Sequence, residues 1–447
     1  MLRKMVTGLL ICGAASCALP DRTQQEKPET DETYAEAVRT YVREYVDFGA
    51  FDGVVLLARG ENIVFHEAFG FADYRHRLPM AVDARFRIAS LSKQFTQAAI
   101  ARLVAEETLA LNSRISQFLP DFPRGKEITV LQLLDHTAGI PHTNRLAWMD
   151  MQEPLALEEI VSGLAAEPLD FEPGSQSRYS NGGYAIAAAV IEAASGRSYA
   201  DYIQQEIAER GLPSVGHETA YETVTSMAHR YAPGATVGSR VEATPYLTAN
   251  RVGGGSLYAN AEDLFRFFRT TLRGTEMSDE IHSALFAMPE DGDIRITGRS
   301  PGALAQVYYD VNEDLTVVTL SSNSAWPGTF NRDITELFRG NPVKQLPVRL
   351  LAEKEVAEDE LNAIAGAYEP ERFSWDIRLE RTERGIVYVQ NESRVAFRKT
   401  EDGVYYLSIW DWLCTFENRY ESFTCRQRDP TSQSAFVFHR VGAMSAP

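Results

Sequence analysis

The spacing of apolar residues divides the chain into a mixed α/β part followed by an all-β part. Residues 34–46 carry apolar side chains three and four positions apart, which predicts a helix with one buried face. Residues 51–58 and 63–71 read as strands on either side of the polar turn 59–62, which predicts a β-hairpin. A helix followed by a hairpin is typical of an α+β sheet that carries its helix on one face.

The middle of the chain is predicted to be mostly helical. From residue 93 to about 212, helical spacing is interrupted only by loops that contain Pro and Gly. Gly196 is the expected stop of one helix, and Asn260 is the expected cap of a later one. The elements predicted individually are helices at 184–194, 261–272 and 334–338, and a second hairpin at 303–310 and 315–321.

From about residue 361 the pattern changes to short strands with turn residues between them, which predicts an antiparallel barrel or sandwich. The predicted strands are 377–380, 385–390, 395–399, 404–409 and 435–441. A charged stretch, 346–360, is predicted to be a helical connector. The expected organisation is a signal peptide at 1–16, a tether at 17–31, a domain at 32–342, a connector at 343–360 and a barrel at 361–447.

The N-terminus has the three-part pattern of an export signal: a basic start, a short apolar run and small residues before Cys17. The apolar run is too short to span a bilayer. Ala14-Ala15-Ser16-Cys17 resembles the lipobox of bacterial lipoproteins, with Ala14 at the usual leucine position. We therefore expect an exported protein, either periplasmic or anchored to the membrane through a lipid on Cys17. The alternative is a cleaved signal and a soluble exported protein.

Charge and cysteine content narrow the class further. The formal net charge is −18, so we expect no nucleic-acid partner. The sequence contains neither a metal-ligand spacing nor a phosphate or dinucleotide loop, so no metal and no cofactor are expected. Cys414 and Cys425 flank a predicted strand-turn-strand segment, and an exported compartment permits a disulfide between them. The alternative for this pair is two buried thiols.

Ser90 and Lys93 are the first candidate catalytic pair. Ser90 stands at the start of an apolar-periodic helix, and Lys93 follows three positions later on the same helix face. An alcohol needs a base to become a good nucleophile, and a desolvated lysine can serve. A pair of this spacing is weak support alone, since a capping serine beside a surface lysine would look the same.

A second element strengthens this interpretation. Tyr179 and Asn181 lie two apart in a loop rich in Ser and Gly, where a phenol can relay a proton and an amide can orient a lysine. Ser90-x-x-Lys93 followed by Tyr179-x-Asn181 resembles the serine β-lactamase and penicillin-binding superfamily, and especially the class C β-lactamases with their esterase and D-aminopeptidase relatives. The segments 128–141 and 253–264 also resemble that family. Residues 361–441 resemble its lipocalin-like C-terminal domain.

The resemblance implies a β-lactamase-like fold and an exported serine hydrolase that acts on a small-molecule or peptide substrate. Ser90 would attack an ester or amide carbonyl, Lys93 would take its proton, and Tyr179 would deliver one to the leaving group. Asn181, Thr297, Gly298 and Arg299 would contact the substrate. The backbone N–H groups of Ser90 and Arg299 would hold the oxyanion.

One position departs from the family pattern. The third motif of the family carries Lys or His two residues before its glycine, and this chain has Ile296 there. Isoleucine cannot bind a substrate carboxylate. We therefore expect an esterase or peptidase-like activity rather than a true β-lactamase. The alternative is a catalytically inactive binding or sensing homologue, and the oligomeric state is left open.

Overall fold

Helices and strands alternate through the first part of the chain, and strands dominate the last part. The computed structural model describes residues 31–47, 49–220, 223–233, 239–274, 278–286, 292–323, 330–343, 354–371, 377–382, 385–390, 393–400, 403–407, 412–427 and 435–441. The helices within them are α1 Asp31–Asp47, α2 Ser92–Ala105, α3 Val130–Leu134, α4 Leu157–Ala166, α5 Asn181–Ser195, α6 Tyr199–Glu206, α7 Ala261–Leu272, α8 Asp279–Leu285, α9 Phe330–Phe338 and α10 Glu358–Ile364.

The strands fall into one large sheet, one barrel and three small sheets. The strands before the barrel are β1 Gly53–Arg59, β2 Asn62–Phe69, β3 Phe71–Asp73, β4 Leu78–Pro79, β5 Phe86–Arg87, β6 Gly216–His217, β7 Tyr231–Pro233, β8 Arg240–Glu242, β9 Leu257–Ala259, β10 Asp293–Ser300, β11 Ala303–Asp310 and β12 Leu315–Ser321. The barrel strands are β13 Gly366–Pro370, β14 Ile377–Thr382, β15 Gly385–Gln390, β16 Ser393–Lys399, β17 Tyr405–Leu407, β18 Trp412–Glu417, β19 Ser422–Gln427 and β20 Ala435–Arg440.

The large sheet separates two hydrophobic cores. Its five antiparallel strands run in the order β10-β11-β12-β1-β2. Successive side chains of a strand point to opposite faces, so in β1 Val54 and Leu56 enter the core under α2, while Val55 and Leu57 enter the core beneath α1 and α9. A strand buried on both faces reads as a continuous apolar run, which is the pattern seen at 53–58.

The helical region packs around α5, whose first ten described positions after Asn181 are almost all buried. Ser180 caps this helix, and its hydroxyl accepts the N–H of Gly183 at 3.1 Å. Gly196 ends it in a left-handed conformation at φ +69°, which confirms the predicted stop. Asn260 caps α7 as predicted, by accepting the Asp263 N–H at 2.8 Å. Both helix ends therefore follow from residues visible in the sequence.

The C-terminal strands close into an eight-stranded antiparallel barrel, β13 to β20 in sequence order. Aromatic side chains fill its interior, including Tyr368, Tyr388 and Phe423, each almost fully buried. Cys414 and Cys425 lie opposite each other on β18 and β19 and form a disulfide. Tyr406 faces the other way and is buried in the core beneath α1 and α9. The barrel thus contributes two side chains to the core of the preceding domain, the buried Tyr406 and the partly buried Leu413.

The predicted α+β domain followed by a closed all-β unit is confirmed, with two differences in detail. Residues 346–360 were expected to be helical; of the described part, 354–360, only the last three residues are, because α10 begins at Glu358. Helix α10 then runs to Ile364, past the expected boundary at 361. Of the expected strand 404–409 only Tyr405–Leu407 is described as a strand. Among the helices described, none is both long and apolar enough to cross a membrane.

Candidate active site

Ser90 lies in a tight 3-10 turn, Ala89–Leu91, that leads directly into α2. Ala89, just before it, has a positive φ of 45°, which is strained for a residue with a side chain. Strand β10 passes against this turn at Gly298. A Cβ built on Gly298 would lie 2.9 Å from the Ser90 backbone nitrogen and would overlap the Ile88 carbonyl. Glycine is therefore required at 298 because the strand approaches the Ser90 backbone so closely.

Lys93 is the second residue of α2, and only 4% of its surface is exposed. Its Nζ donates to the Gly254 carbonyl at 2.6 Å and to Asn181 Oδ1 at 2.7 Å, and it lies 3.4 Å from Ser90 Oγ. A neutral amine has two N–H donors and one lone pair. With both donors taken by these two carbonyl oxygens, the lone pair is left for the third neighbour, the Ser90 hydroxyl. The geometry suits a base that removes the serine proton.

Tyr179 completes the arrangement from the loop before α5. Its hydroxyl lies 2.8 Å from Ser90 Oγ. Its ring packs against His136 and His142, with centroids 4.7 and 5.6 Å away. A phenol in this place can exchange a proton with the nucleophile or with a departing group.

The two histidines and Asn144 fix the backbone and side chain around Asn181. His136 Nδ1 accepts the N–H of Ser180, and His142 Nδ1 accepts the N–H of Asn181, both at 3.2 Å. Asn181 Nδ2 donates to Asn144 Oδ1 at 3.3 Å. Because each Nδ1 acts as an acceptor, both imidazoles are held as neutral Nε2–H tautomers. They position the loop and do not touch Ser90.

Burial sets the protonation states of these groups. It lowers the pKa of Lys93 well below the ordinary lysine value, and the positive charge of Arg251 lowers it further. Although 45% of the Tyr179 surface is exposed, partial burial of its phenol raises the pKa, which outweighs the opposite effects of its bond to Ser90 and of Arg251. Burial also lowers the pKa of His136 and of His142 to about 4. The site therefore favours a neutral amine, a neutral phenol and neutral imidazoles.

The third segment of the predicted site lies on β10, at the edge of the large sheet. Ile296 is partly buried and packs on the core under α2. Thr297 is exposed, and its hydroxyl accepts from Gln306 Nε2 at 3.1 Å. Gly298 lies against the Ser90 turn, and Arg299 follows it on the strand. The structure thus brings Ser90, Lys93, Tyr179, Asn181 and Gly298 together, while the Thr297 side chain bonds along the sheet.

Residues 38–338 match the beta-lactamase family. The chain belongs to this family. The match covers the large sheet and the helical region and ends before the barrel, which confirms the resemblance drawn from the Ser-x-x-Lys and Tyr-x-Asn motifs.

The chain matches less than half of the length of each of two curated relatives. Penicillin-binding protein 4* of Bacillus subtilis is 37% identical over 175 residues, which cover 38% of each chain. Esterase EstB of Burkholderia gladioli is 34% identical over 174 residues, 35% of this chain and 44% of that one. Among solved structures, the hydrolase EstCE1 superposes with a TM-score of 0.60 at 22% identity, covering 69% of this chain and 99% of that one. This likeness confirms the β-lactamase-like fold.

Several contributors to the site were not predicted from the sequence. The Gly254 carbonyl is the closest partner of the Lys93 amine, and a main-chain acceptor leaves no signal in a motif. Arg251, buried nearby, contacts Thr143, which is 108 positions away in sequence. Cys17, the predicted lipid site, lies outside the described residues.

Proposed function

We propose that this chain is a serine hydrolase that transfers the acyl group of a small ester or amide to water through an acyl-enzyme on Ser90. The observation that carries the proposal is the convergence of Ser90, Lys93, Tyr179 and Asn181 within hydrogen-bonding distance. These residues come from two segments about 90 positions apart in sequence. Four side chains of the required chemistry in mutual contact are a strong reason to expect turnover.

The proposed reaction begins with the neutral Lys93 amine taking the Ser90 proton as Oγ attacks the carbonyl carbon. Asn181 and the Gly254 carbonyl hold the amine so that its lone pair faces the hydroxyl. The backbone N–H groups of Ser90 and Arg299 then bind the oxyanion, a contribution of roughly 3–4 kcal/mol per donor in comparable enzymes. Tyr179 gives its proton to the leaving group and is reprotonated by the Lys93 ammonium, so that both groups are neutral again. Water then attacks the acyl carbonyl; one proton of this water passes through the Lys93–Tyr179 pair to Ser90 Oγ, and the acyl group leaves as a carboxylic acid.

The proposed substrate preference follows from position 296. An anionic substrate such as a β-lactam lacks a cationic anchor there, because Ile296 packs into the core. We therefore place neutral esters and amides before β-lactams. Two relatives are named for these first classes, esterase EstB and the D-aminopeptidase of Brucella anthropi, which is 33% identical over 162 residues.

A fluorophosphonate probe tests the proposal directly. The wild-type protein and Ser90→Ala would be labelled in parallel with Ser177→Ala, which removes an exposed serine two positions before Tyr179. Labelling and p-nitrophenyl acetate turnover should vanish in Ser90→Ala and persist in Ser177→Ala. D-alanine p-nitroanilide and a chromogenic cephalosporin would rank the substrate classes. A folded wild-type protein that is neither labelled nor active would refute the hydrolase and favour the binding homologue.

We further infer that the chain is exported and anchored by a lipid on Cys17. The support is the basic, apolar and small-residue order of residues 1–17. Cells fed an alkyne-tagged fatty acid should label the wild-type protein and Cys12→Ala, but not Cys17→Ala. Equal labelling of both variants, or none of the wild type, would overturn this assignment.

A further inference from the structure

The site has no cation at the place where its family carries one. Residues 296 and 298 share a face of β10, because alternate residues of a strand point the same way. Gly298 faces the Ser90 turn, so a side chain at 296 belongs to the face that looks toward the nucleophile. Arg295 points to the opposite face, where it bonds Asp293 at 2.9 Å and lies over the Tyr308 ring. The strand itself therefore offers no replacement through Arg295.

A different cation, Arg251, lies three residues before Gly254, whose carbonyl holds the Lys93 amine. Arg251 ends the short 3-10 helix Thr248–Arg251. Its carbonyl accepts the N–H groups of Gly254 and Gly255 at 3.0 and 2.7 Å. The Gly254 carbonyl in turn accepts from Lys93 Nζ at 2.6 Å. The backbone turn that holds the lysine is thus built on the backbone of Arg251.

The Arg251 side chain is buried without an acidic partner. Only 5% of the residue is exposed. Nε donates to the Tyr246 hydroxyl at 2.8 Å and Nη1 to Thr143 Oγ1 at 2.5 Å, so both of its bonded neighbours are neutral. No carboxylate of the described residues lies within ion-pair distance of it. Two other arginine side chains with little exposure do have one: Arg240 pairs with Asp52, and Arg269 with Asp314.

An uncompensated buried charge is costly, so its retention calls for a role. Through Thr143 the Arg251 side chain also braces the segment that carries Asn144, the residue that fixes the Asn181 amide. Its charge acts on the groups next to Ser90. After burial, which is the larger cause, Arg251 is the main influence that lowers the pKa of Lys93 and of His142.

We propose that Arg251 is a positioning residue that supplies, from the loop before Gly254, the positive charge missing at Ile296. This proposal rests on the proposed function, in which Lys93 acts as the neutral base. The positive charge of Arg251 disfavours protonation of the Lys93 amine. The Arg251 side chain also holds the 143–144 segment against α5. No direct contact between Arg251 and the substrate is required.

The other titratable groups around the Lys93 amine do not supply this charge near neutral pH. His136 and His142 face it from the loop after α3, and burial holds the pKa of each at about 4, so both are neutral. Tyr179 and Tyr184 have rings 4.8 and 5.2 Å from Nζ, and burial raises the pKa of both phenols. Two charged groups of the same segment also affect these histidines: Asp135 raises the pKa of His136, and Arg145 lowers that of His142.

The scarcity of lysine makes a direct test practical. The chain has seven lysines, so a protein labelled with carbon-13 at lysine Cε gives a simple NMR spectrum, and Lys93→Arg assigns the resonance of interest. The titration of Lys93 would be followed in wild type, Arg251→Met, Arg251→Lys and the double variant Arg251→Met/Ile296→Lys. Arg145→Met is the matched control, because Arg145 is exposed and already paired with Asp170. The pH profile of kcat/KM would be measured on the same proteins.

Loss of the cation stabilises the protonated lysine, so Arg251→Met should raise the pKa of Lys93 by about one unit or more. The acid limb of kcat/KM should move to higher pH by the same amount. Arg251→Lys and Arg145→Met should leave the Lys93 pKa and the acid limb of kcat/KM near the wild-type values. Ile296→Lys should lower the pKa again in the double variant, because it restores a charge at the family's usual position.

An unchanged Lys93 titration in folded Arg251→Met would overturn the inference. Should that variant not fold, Arg251→Gln keeps an amide donor for Thr143 and gives the same comparison. The NMR titration does not depend on turnover. A shifted Lys93 pKa in Arg251→Met, in a protein without hydrolase activity, would therefore reject the proposed reaction and keep the role of Arg251. Hydrolase activity without this pKa shift would reject the role of Arg251 and keep the proposed reaction.

Discussion

Gly298 offers the sharpest test of how the site is built, since one methyl group is enough to separate β10 from the nucleophile. In Gly298→Ala the new Cβ would lie 2.9 Å from the Ser90 nitrogen and closer still to the Ile88 carbonyl oxygen. Real Cβ atoms essentially never lie within 3.0 Å of such atoms. The strand or the turn must therefore move by roughly 1 Å to reach an ordinary contact distance. That movement separates the two backbone donors proposed for the oxyanion.

The size of the effect follows from this displacement. Losing one oxyanion donor typically lowers kcat by about 10²–10³, and a misplacement of about 1 Å costs a similar factor. Overpacking should also lower the free energy of unfolding by about 1–3 kcal/mol. We therefore expect kcat for p-nitrophenyl acetate to fall by about two to three orders of magnitude while the protein stays folded.

Gly196→Ala is the matched control for lost stability. Gly196 has a positive φ of 69° and no atom within 4 Å of its added Cβ, so the substitution strains the backbone far from Ser90. It should cost about 1–2 kcal/mol of stability and leave kcat unchanged. Thermal unfolding and steady-state kinetics on both variants separate the two effects. A folded Gly298→Ala with kcat within about threefold of wild type would refute the idea that this close approach forms the oxyanion site.

Three further predictions concern single groups. Tyr179→Phe should lower kcat for an anilide by about 10²–10³ and for p-nitrophenyl acetate by less, since nitrophenolate leaves without a proton; equal losses would contradict the acid role. Because the folded-state pKa of His136 and His142 is about 4 against an ordinary 6.5, their stabilising contribution is complete above about pH 6.5 and is lost as the pH falls toward 4. His136→Asn and His142→Asn each keep a hydrogen-bond acceptor but do not titrate. Each should therefore reduce the loss of unfolding free energy between about pH 6.5 and 4 by up to roughly 3 kcal/mol, and a loss equal to that of the wild type would contradict this. Replacing Cys414 and Cys425 together by Ala should lower the unfolding free energy of the barrel by about 3 kcal/mol and leave kcat unaltered; a lost activity would show that the barrel's integrity reaches the site.

The elements that sequence reasoning predicted well are those with local signals. The strands 303–310, 315–321 and 385–390 and the helix 261–272 have the predicted bounds, because turn residues or a capping side chain mark their ends. In the described part of the expected connector helix 346–360, residues 354–357 are not helical and only 358–360 are. Charge content alone suggested helix there, while Ala357 and Glu358 mark the actual start.

The candidate site divides in the same way. Ser90 and Lys93 could be paired from a spacing of three, and the loop with Tyr179 could be added through family resemblance. The partners that tune them could not be predicted. A carbonyl such as that of Gly254 has no sequence signature, and the contact between Arg251 and Thr143 depends on the packing of segments 108 positions apart. Long-range contacts of this kind become visible only once the helical region has packed against the sheet.

Tyr406 has a consequence for how this chain can be cut or rearranged. The family match ends at residue 338, yet a barrel residue with 2% exposure completes the apolar layer beneath α1 and α9. Deleting everything after residue 342 would leave a side-chain-sized hole open to water in that layer. The barrel therefore shields an apolar layer of the preceding domain from water, and a chain cut at residue 342 should be less stable than the intact one.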